Sequence, residues 1–232
     1  METYGDYTYN AQNPLKRFSH RRRFNKCLAC VPLDNDDIRL LDFGCADGLF
    51  LNRLKISLHG KGFLMGYEPI MPAMHGNTVN IADSWEEVAK EAPFDYVTCF
   101  EVLEHFDENL QRETLKRITH ILADDGSLIV SVPVEKGFPS LVKNVIRKFS
   151  CAKSSRHLYS VKNILSAFFK RKLPKYRTGS DYLSHLGFYH TDLEKVFSDD
   201  FVIVEKSFSP FSWLGSQLNS QVFYKLVKKN EH

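Results

Sequence analysis

The chain has 232 residues, 43% of them hydrophobic and 25% charged, with a formal net charge of +3, which suits one domain of the larger single-core kind. No stretch approaches the roughly 18 consecutive apolar residues of a membrane span, and Met1-Glu2-Thr3-Tyr4-Gly5-Asp6 has no apolar h-region of a secretory signal, so the expected location is the cytoplasm. Cys27, Cys30, Cys45, Cys99 and Cys151 make an odd, scattered set that argues against a secreted disulfide framework. Cys27 and Cys30 form a CxxC, but with no second pair and inside a predicted helix, which argues against a metal or redox centre.

In chain order, a polar tail bearing Tyr4, Tyr7 and Tyr9 leads to Asn13-Pro14, a helix start, and the helix is predicted to run through Phe18, Phe24 and Leu28 to about Val31. Strands are predicted at 38–43, 62–67, 77–81, 94–100 and 126–132, separated by helices near 48–57, 70–75, 84–91 and 106–122. Asp124-Asp125-Gly126 supplies the turn before the fifth strand. Apolar strands alternating with helices imply a mainly parallel sheet covered on both faces. After Pro133, helical spacing appears in Leu141, Val142, Val145, Ile146 and Phe149 and again in Val161, Ile164, Leu165, Phe168 and Phe169. These two amphipathic helices fall in a basic block, Lys136 to Arg177, that holds twelve Lys/Arg and no Asp or Glu. Two β-rich runs, Phe201 to Phe208 and Gln221 to Val227, close the chain as an antiparallel pair joined through Pro210, Trp213 and Gly215.

Leu40 to Leu51 reads as a buried strand turning through glycines straight into a helix. Gly44 and Gly48 leave the main chain accessible, and the turn is expected to present backbone N–H groups and a helix N-terminus to a nucleotide-like ligand. Glu68 follows 20 residues after Gly48, at the end of the next apolar run, where an acidic residue meets ribose hydroxyls in doubly wound sheets. Gly44-Cys45-Ala46-Asp47-Gly48-Leu49 does not supply the G-x-G-x-x-G of a dehydrogenase. Asp83 has two readings: a ligand contact, or the cap of the helix that begins near Ser84.

Together, DFGCADG, Glu68, Ile81-Ala82-Asp83-Ser84, Phe94-Asp95-Tyr96-Val97 leading to Phe100-Glu101-Val102-Leu103-Glu104-His105, and Gly126 to Pro133 resemble the class I S-adenosylmethionine-dependent methyltransferases over about residues 38–133. The resemblance implies an α/β, Rossmann-like fold: a seven-stranded, mainly parallel sheet with an antiparallel last strand and a helical lid inserted between strands 5 and 6. It implies one domain over 1–232, with an N-terminal helical cap (1–31), a cofactor-binding core (38–133), a basic lid (136–177) and a terminal β pair (200–228). Within that superfamily, Asn13-Pro14-Leu15-Lys16-Arg17-Phe18, Arg21-Arg22-Arg23-Phe24, His185-Leu186-Gly187-Phe188 and Ser209-Pro210-Phe211 are similar to bacterial enzymes of cell-surface polysaccharide and other small-molecule pathways.

Carried over by position, Asp42, Gly44, Cys45, Ala46 and Gly48 form the loop under the methionyl part of S-adenosylmethionine, with Asp42 near its amino group. Glu68, followed by Pro69, accepts from both ribose hydroxyls. Asp83, with Ala82 and Ser84 beside it, meets the adenine amino group, and Glu101 lies where the fourth strand opens toward the sulfonium. Ala46 stands where many members have a second glycine. The product is S-adenosylhomocysteine.

Transfer to a hydroxyl requires a base, and His105 is the first candidate, His185 the second, with Glu104 beside them. His105 has an alternative reading as a residue that orders the Glu101 loop. The spacing of Glu101, Glu104 and His105 also permits a divalent metal, but the further ligand would be His157 or His185, and neither sits in a metal-binding pattern, so no metal ligand is assigned. Lys143, Arg147, Lys148, Lys170, Arg171 and Lys172 fit an anionic or sugar-linked small-molecule acceptor, or peripheral contact with the inner face of a membrane, or simply the wet face of two helices. Arg17, Arg21 and Arg22 are expected to close over cofactor or acceptor. An RNA methyltransferase is the competing enzyme class, against which stands the lack of any RNA-binding module. A cofactor-binding scaffold is the non-catalytic alternative. The acceptor itself is not legible in the sequence.

Overall fold

The computed structural model describes residues 14–32, 36–70, 78–134, 188–210 and 219–229, apart from the side chains of 14–20. Apolar runs that bury both faces of a strand build its centre. Leu40 and Leu41 at the heart of β1 (Arg39–Phe43) point to opposite sides and are both fully buried. β1 runs parallel to β2 (Phe63–Tyr67) on one side and to β4 (Phe94–Phe100) on the other, with Asp42 level with Gly66 and Thr98. β3 (Asn80–Ala82) flanks β2, β5 (Leu122–Pro133) flanks β4, and β6 (Phe201–Ser209) and β7 (Gln221–Lys228) complete the order β3-β2-β1-β4-β5-β7-β6. β7 is antiparallel to both neighbours, as the resemblance implied.

Two helical layers cover the sheet. On one face α1 (Pro14–Ala29) and α2 (Leu49–Ser57) bring Cys27, Phe50, Leu51 and Leu54 onto Leu40, Leu64, Ile129 and Phe223. On the other, α3 (Trp85–Lys90), α4 (Glu108–Ile121) and α5 (His190–Asp200) set Val88, Leu115, Ile118, Leu193 and Phe197 against Leu41, Val97, Val130 and Tyr224. An Arg112–Asp199 ion pair ties α4 to α5. Among the described residues no helix is long and apolar enough to cross a membrane.

Several predicted elements differ in detail. β3 occupies 80–82 rather than 77–81, and the helix expected at 70–75 falls mostly outside the described residues. The predicted 106–122 helix is present as α4, which starts where the Asp107 carboxylate accepts from Leu110 N–H at 2.9 Å, and a 3-10 turn that was not predicted, Leu103–His105, precedes it. Asp124-Asp125-Gly126 does not precede the fifth strand; it forms a bulge inside it, where pairing slips from Phe94–Leu122 to Tyr96–Ser127. Turn-forming residues satisfy either geometry. α5 is absent from the sequence-based expectations, although Leu193, Val196 and Phe197 form its buried face at helical spacing. The basic block 136–177, with its two predicted helices, lies outside the described residues.

The strand order reverses beside β1: the chain moves outward to β2 and β3, then returns to the far side of β1 as β4. Such a reversal opens a crevice beyond the carboxyl ends of the two central strands, where ligands bind in open α/β sheets. Close packing under that crevice fixes Gly66, because a Cβ there would stand 2.4 Å from Cys45 Sγ and 3.1 Å from Leu51 Cδ1. We expect Gly66→Ala to destabilise the fold by about 1–3 kcal/mol, measured as a lower urea midpoint at unchanged slope.

Candidate cofactor and active site

Three carboxylates stand at the carboxyl ends of adjacent strands. Asp42, the penultimate residue of β1, is buried, and Thr98 on β4 donates its hydroxyl to Asp42 Oδ1 at 2.7 Å. Burial drives its pKa up from the ordinary 3.8 to about 7, against the lowering effect of the Thr98 bond and with a further push from the charge of Glu68. Glu68 follows β2 directly. Its backbone N–H continues the ladder to Ala82 O at 2.9 Å, and its carboxylate accepts from Ala46 N–H and Ile70 N–H, both at 3.1 Å. Glu101 follows β4, its N–H on Ser131 O at 2.9 Å, while its carboxylate accepts from Ser131 Oγ at 3.3 Å and pairs with Arg23 at 3.2 Å.

The loop between β1 and α2 is wound tightly among these groups. Gly44 adopts φ 76°, and a Cβ there would meet Val102 Cγ2 at 2.4 Å, so the turn after β4 presses directly on the loop. Two non-glycine residues take left-handed backbone conformations here, Ala46 at φ 48° and Glu101 at φ 60°. Each such conformation costs on the order of 1 kcal/mol and concentrates at functional sites.

Five of the amides that the sequence suggested would face a ligand are engaged within the chain. Gly44 and Cys45 donate to Tyr67 O, Ala46 to Glu68, Gly48 to Cys45 O, and Leu49 to the Asp47 carboxylate at 3.2 Å. A cradle for phosphate needs outward N–H groups. This site instead brings together carboxylates, the chemistry that receives a cation and hydroxyl donors.

The other predicted site residues are placed as follows. Ala82 is buried at the tip of β3, Pro69 and Asp83 are exposed, and Ser84 caps α3 by accepting from Glu87 N–H at 3.4 Å. The cap is therefore Ser84 and not Asp83. His105 is half-buried in the 3-10 turn, its N–H on Val102 O at 3.0 Å. Glu104, 1% exposed, lies beside the buried Cys99 on the α4 side of the sheet, whereas Glu101 faces α1. Glu101 and Glu104 thus diverge, and among the described residues no group of three His, Cys, Asp or Glu side chains is arranged to hold a metal ion. His157 and His185 lie outside the described residues, as do Lys143, Arg147, Lys148, Lys170, Arg171 and Lys172 and the side chain of Arg17. Arg21 and Arg22 are exposed; Arg23 is the arginine of that cluster that reaches the site. Sequence reasoning also passed over Thr98, Ser131 and Gln111, whose amide holds the 3-10 turn through Leu103 O at 2.8 Å and Phe106 O at 3.2 Å.

The family model of a methyltransferase domain matches residues 11–186. The chain belongs to this methyltransferase family. Magnesium protoporphyrin IX methyltransferase from Synechocystis, solved with bound S-adenosylhomocysteine, is similar at 15% identity and a TM-score of 0.57, covering 97% of this chain and 92% of that one. The plantazolicin methyltransferase BpumL, in complex with a pentazolic desmethylplantazolicin analogue and S-adenosylhomocysteine, gives 15%, 0.56, 97% and 90%. The PH0226 protein of Pyrococcus horikoshii gives 14%, 0.62, 97% and 96%. No curated protein matches in sequence. The sheet order with its antiparallel β7 is the class I methyltransferase arrangement.

In this methyltransferase, Asp42 binds its proton more tightly when folded than when unfolded. Asp42's contribution to stability is therefore full below about pH 4 and is lost as pH rises toward about 7. Asp42→Asn keeps an acceptor for Thr98 and removes the charge. We expect it to be more stable than the parent at about pH 8, with the difference fading toward about pH 4, in urea unfolding across that range.

Proposed function

We propose that the protein transfers the methyl group of S-adenosylmethionine to a hydroxyl of a small-molecule acceptor, anionic or sugar-linked, as in the assembly of surface glycans. The observation that carries the donor is the convergence of Asp42, Glu68 and Glu101 around a loop whose amides are satisfied within the chain. Besides its own carboxylate, S-adenosylmethionine brings an ammonium, a sulfonium and a ribose diol, and these cations and donors fit the three carboxylates. Asp42 would hold the ammonium, Glu68 the diol, and Asp83, exposed beside the buried Ala82, the adenine amino group. When bound, the sulfonium supplies an electrophilic methyl group with a leaving group that departs neutral.

The chain's own part is to orient and to take a proton. The 3-10 turn, pinned by Gln111, sets His105 just beyond the end of β4, where it accepts the proton of the acceptor hydroxyl as the methyl bond forms. An anionic acceptor is supported by the Lys136–Arg177 sequence, with its twelve basic residues and no acidic one.

Isothermal titration is expected to show S-adenosylmethionine binding that Glu68→Ala weakens by about 1.5–3 kcal/mol per lost charged hydrogen bond, and unchanged affinity in a folded variant would remove the ribose assignment. His105→Gln should lower kcat about a hundredfold or more with donor affinity held within about twofold. Nucleotide sugars screened by mass spectrometry for the gain of one CH2 would identify the acceptor.

A further inference from the structure

Arg23 on α1 pairs directly with Glu101, one of the three carboxylates at the crevice. Its guanidinium lies 3.2 Å from Glu101 Oε2, and both side chains are mostly buried, 22% and 19% exposed. Four residues on, Cys27 is buried against the sheet, and its thiol feels the charges of Arg23, Glu101 and Asp42 together. Phe24 meets Phe50 edge-on at 6.2 Å, and Phe50 meets Phe100 at 5.1 Å, the residue just before Glu101. One face of α1 is therefore fastened to the end of β4 by an ion pair and a row of rings. Glu101 is at the same time held in a left-handed conformation that its two bonds to Ser131 must maintain.

A cation entering between the ends of β1 and β4 meets Glu101 already neutralised and meets a like charge beside it. We propose that Arg23 and the sulfonium of the donor compete for Glu101, so that Arg23 sets the preference between the charged donor and the neutral product and α1 follows the charge held in the crevice. The inference rests on the proposed donor. With the sulfonium present, Glu101 has a second counter-ion, Arg23 loses part of its attraction, and α1 loosens; once the methyl group has left, the product sulfur is neutral and the Arg23–Glu101 pair closes again. Because the coupling is reciprocal, whatever α1 loses when the donor binds, the donor gains when Arg23 is removed.

The test compares S-adenosylmethionine with S-adenosylhomocysteine, which differ in that one charge, on the full chain by isothermal titration. Arg23→Met is expected to tighten the donor about tenfold while moving the product less than about twofold. Arg23→Lys should keep the parent's ratio of the two affinities. The ratio serves as its own control, since general damage to the fold weakens both ligands alike. Hydrogen exchange supplies the second readout: in the unaltered protein, saturating donor should speed exchange at the α1 amides of Arg23 to Ala29, and saturating product should not. Equal shifts for both ligands in Arg23→Met, or identical α1 exchange under both, would overturn the proposal while leaving the donor assignment standing. Failure of the unaltered protein to bind either ligand would overturn both.

Discussion

The hydrogen bond from Ala46 N–H to the Glu68 carboxylate joins the two halves of the site. It ties the loop after β1 to the tip of β2, and it does so at a residue forced into left-handed backbone. A buried carboxylate without donors would carry a heavy desolvation cost. Here the loop supplies one donor and Ile70 the other, so the charge is tolerated and the strained turn is held in return. The neighbouring amides of Gly44, Cys45, Gly48 and Leu49 likewise close on acceptors inside the chain. The loop therefore keeps its shape by its own bonds, as the proposed donor site would require of a preorganised surface.

That arrangement supports the proposed donor over a phosphate ligand. Glycine turns between a strand and a helix are shared by phosphate binders and methyltransferases, and the difference lies in where the amides point. Phosphate binders turn them outward. This chain turns them inward and leaves Asp42, Glu68 and Glu101 at the ends of three neighbouring strands. The cost is visible at Asp42, where burial next to the Glu68 charge holds the carboxyl partly protonated near neutrality. In the proposed reading, the donor's ammonium beside Asp42 would relieve that cost.

The sheet and Glu68 were legible in the sequence because they follow from local rules, whereas Asp42 and Glu101 were singled out through the family resemblance. Strands buried on both faces appear as unbroken apolar runs, and Gly44, Gly48 and Glu68 stand at fixed distances from them. What escaped depends on contacts between elements. Thr98 and Ser131 look like ordinary strand residues until β4 lies between β1 and β5, when each reaches the carboxylate of a neighbouring chain segment. Ser84 and Asp83 are equally good caps by type, and only the approach of Glu87 N–H to Ser84 Oγ separates them. α5 escaped for another reason. Its buried face comprises Leu193, Val196 and Phe197, a short stripe directly abutting the strand that begins at Phe201, so its periodicity merges with the β run.

Arg23 shows most clearly why rotation about a helix matters more than composition. Arg21, Arg22 and Arg23 are chemically identical, and the expectation fell on Arg21 and Arg22 rather than on Arg23, which reaches Glu101. Once Cys27 and Val31 are buried against the sheet, however, the residue four positions before Cys27 is carried onto the same side, while Arg21 and Arg22 turn to solvent. The apolar contacts at the end of α1 thus choose which guanidinium reaches Glu101. Because Asp42, Thr98 and Phe100 also project to that face of the sheet, the core packing of α1 and the electrostatics of the crevice are set by one orientation of one helix. A change that rolls α1 would disturb both together, even if it touched neither carboxylate.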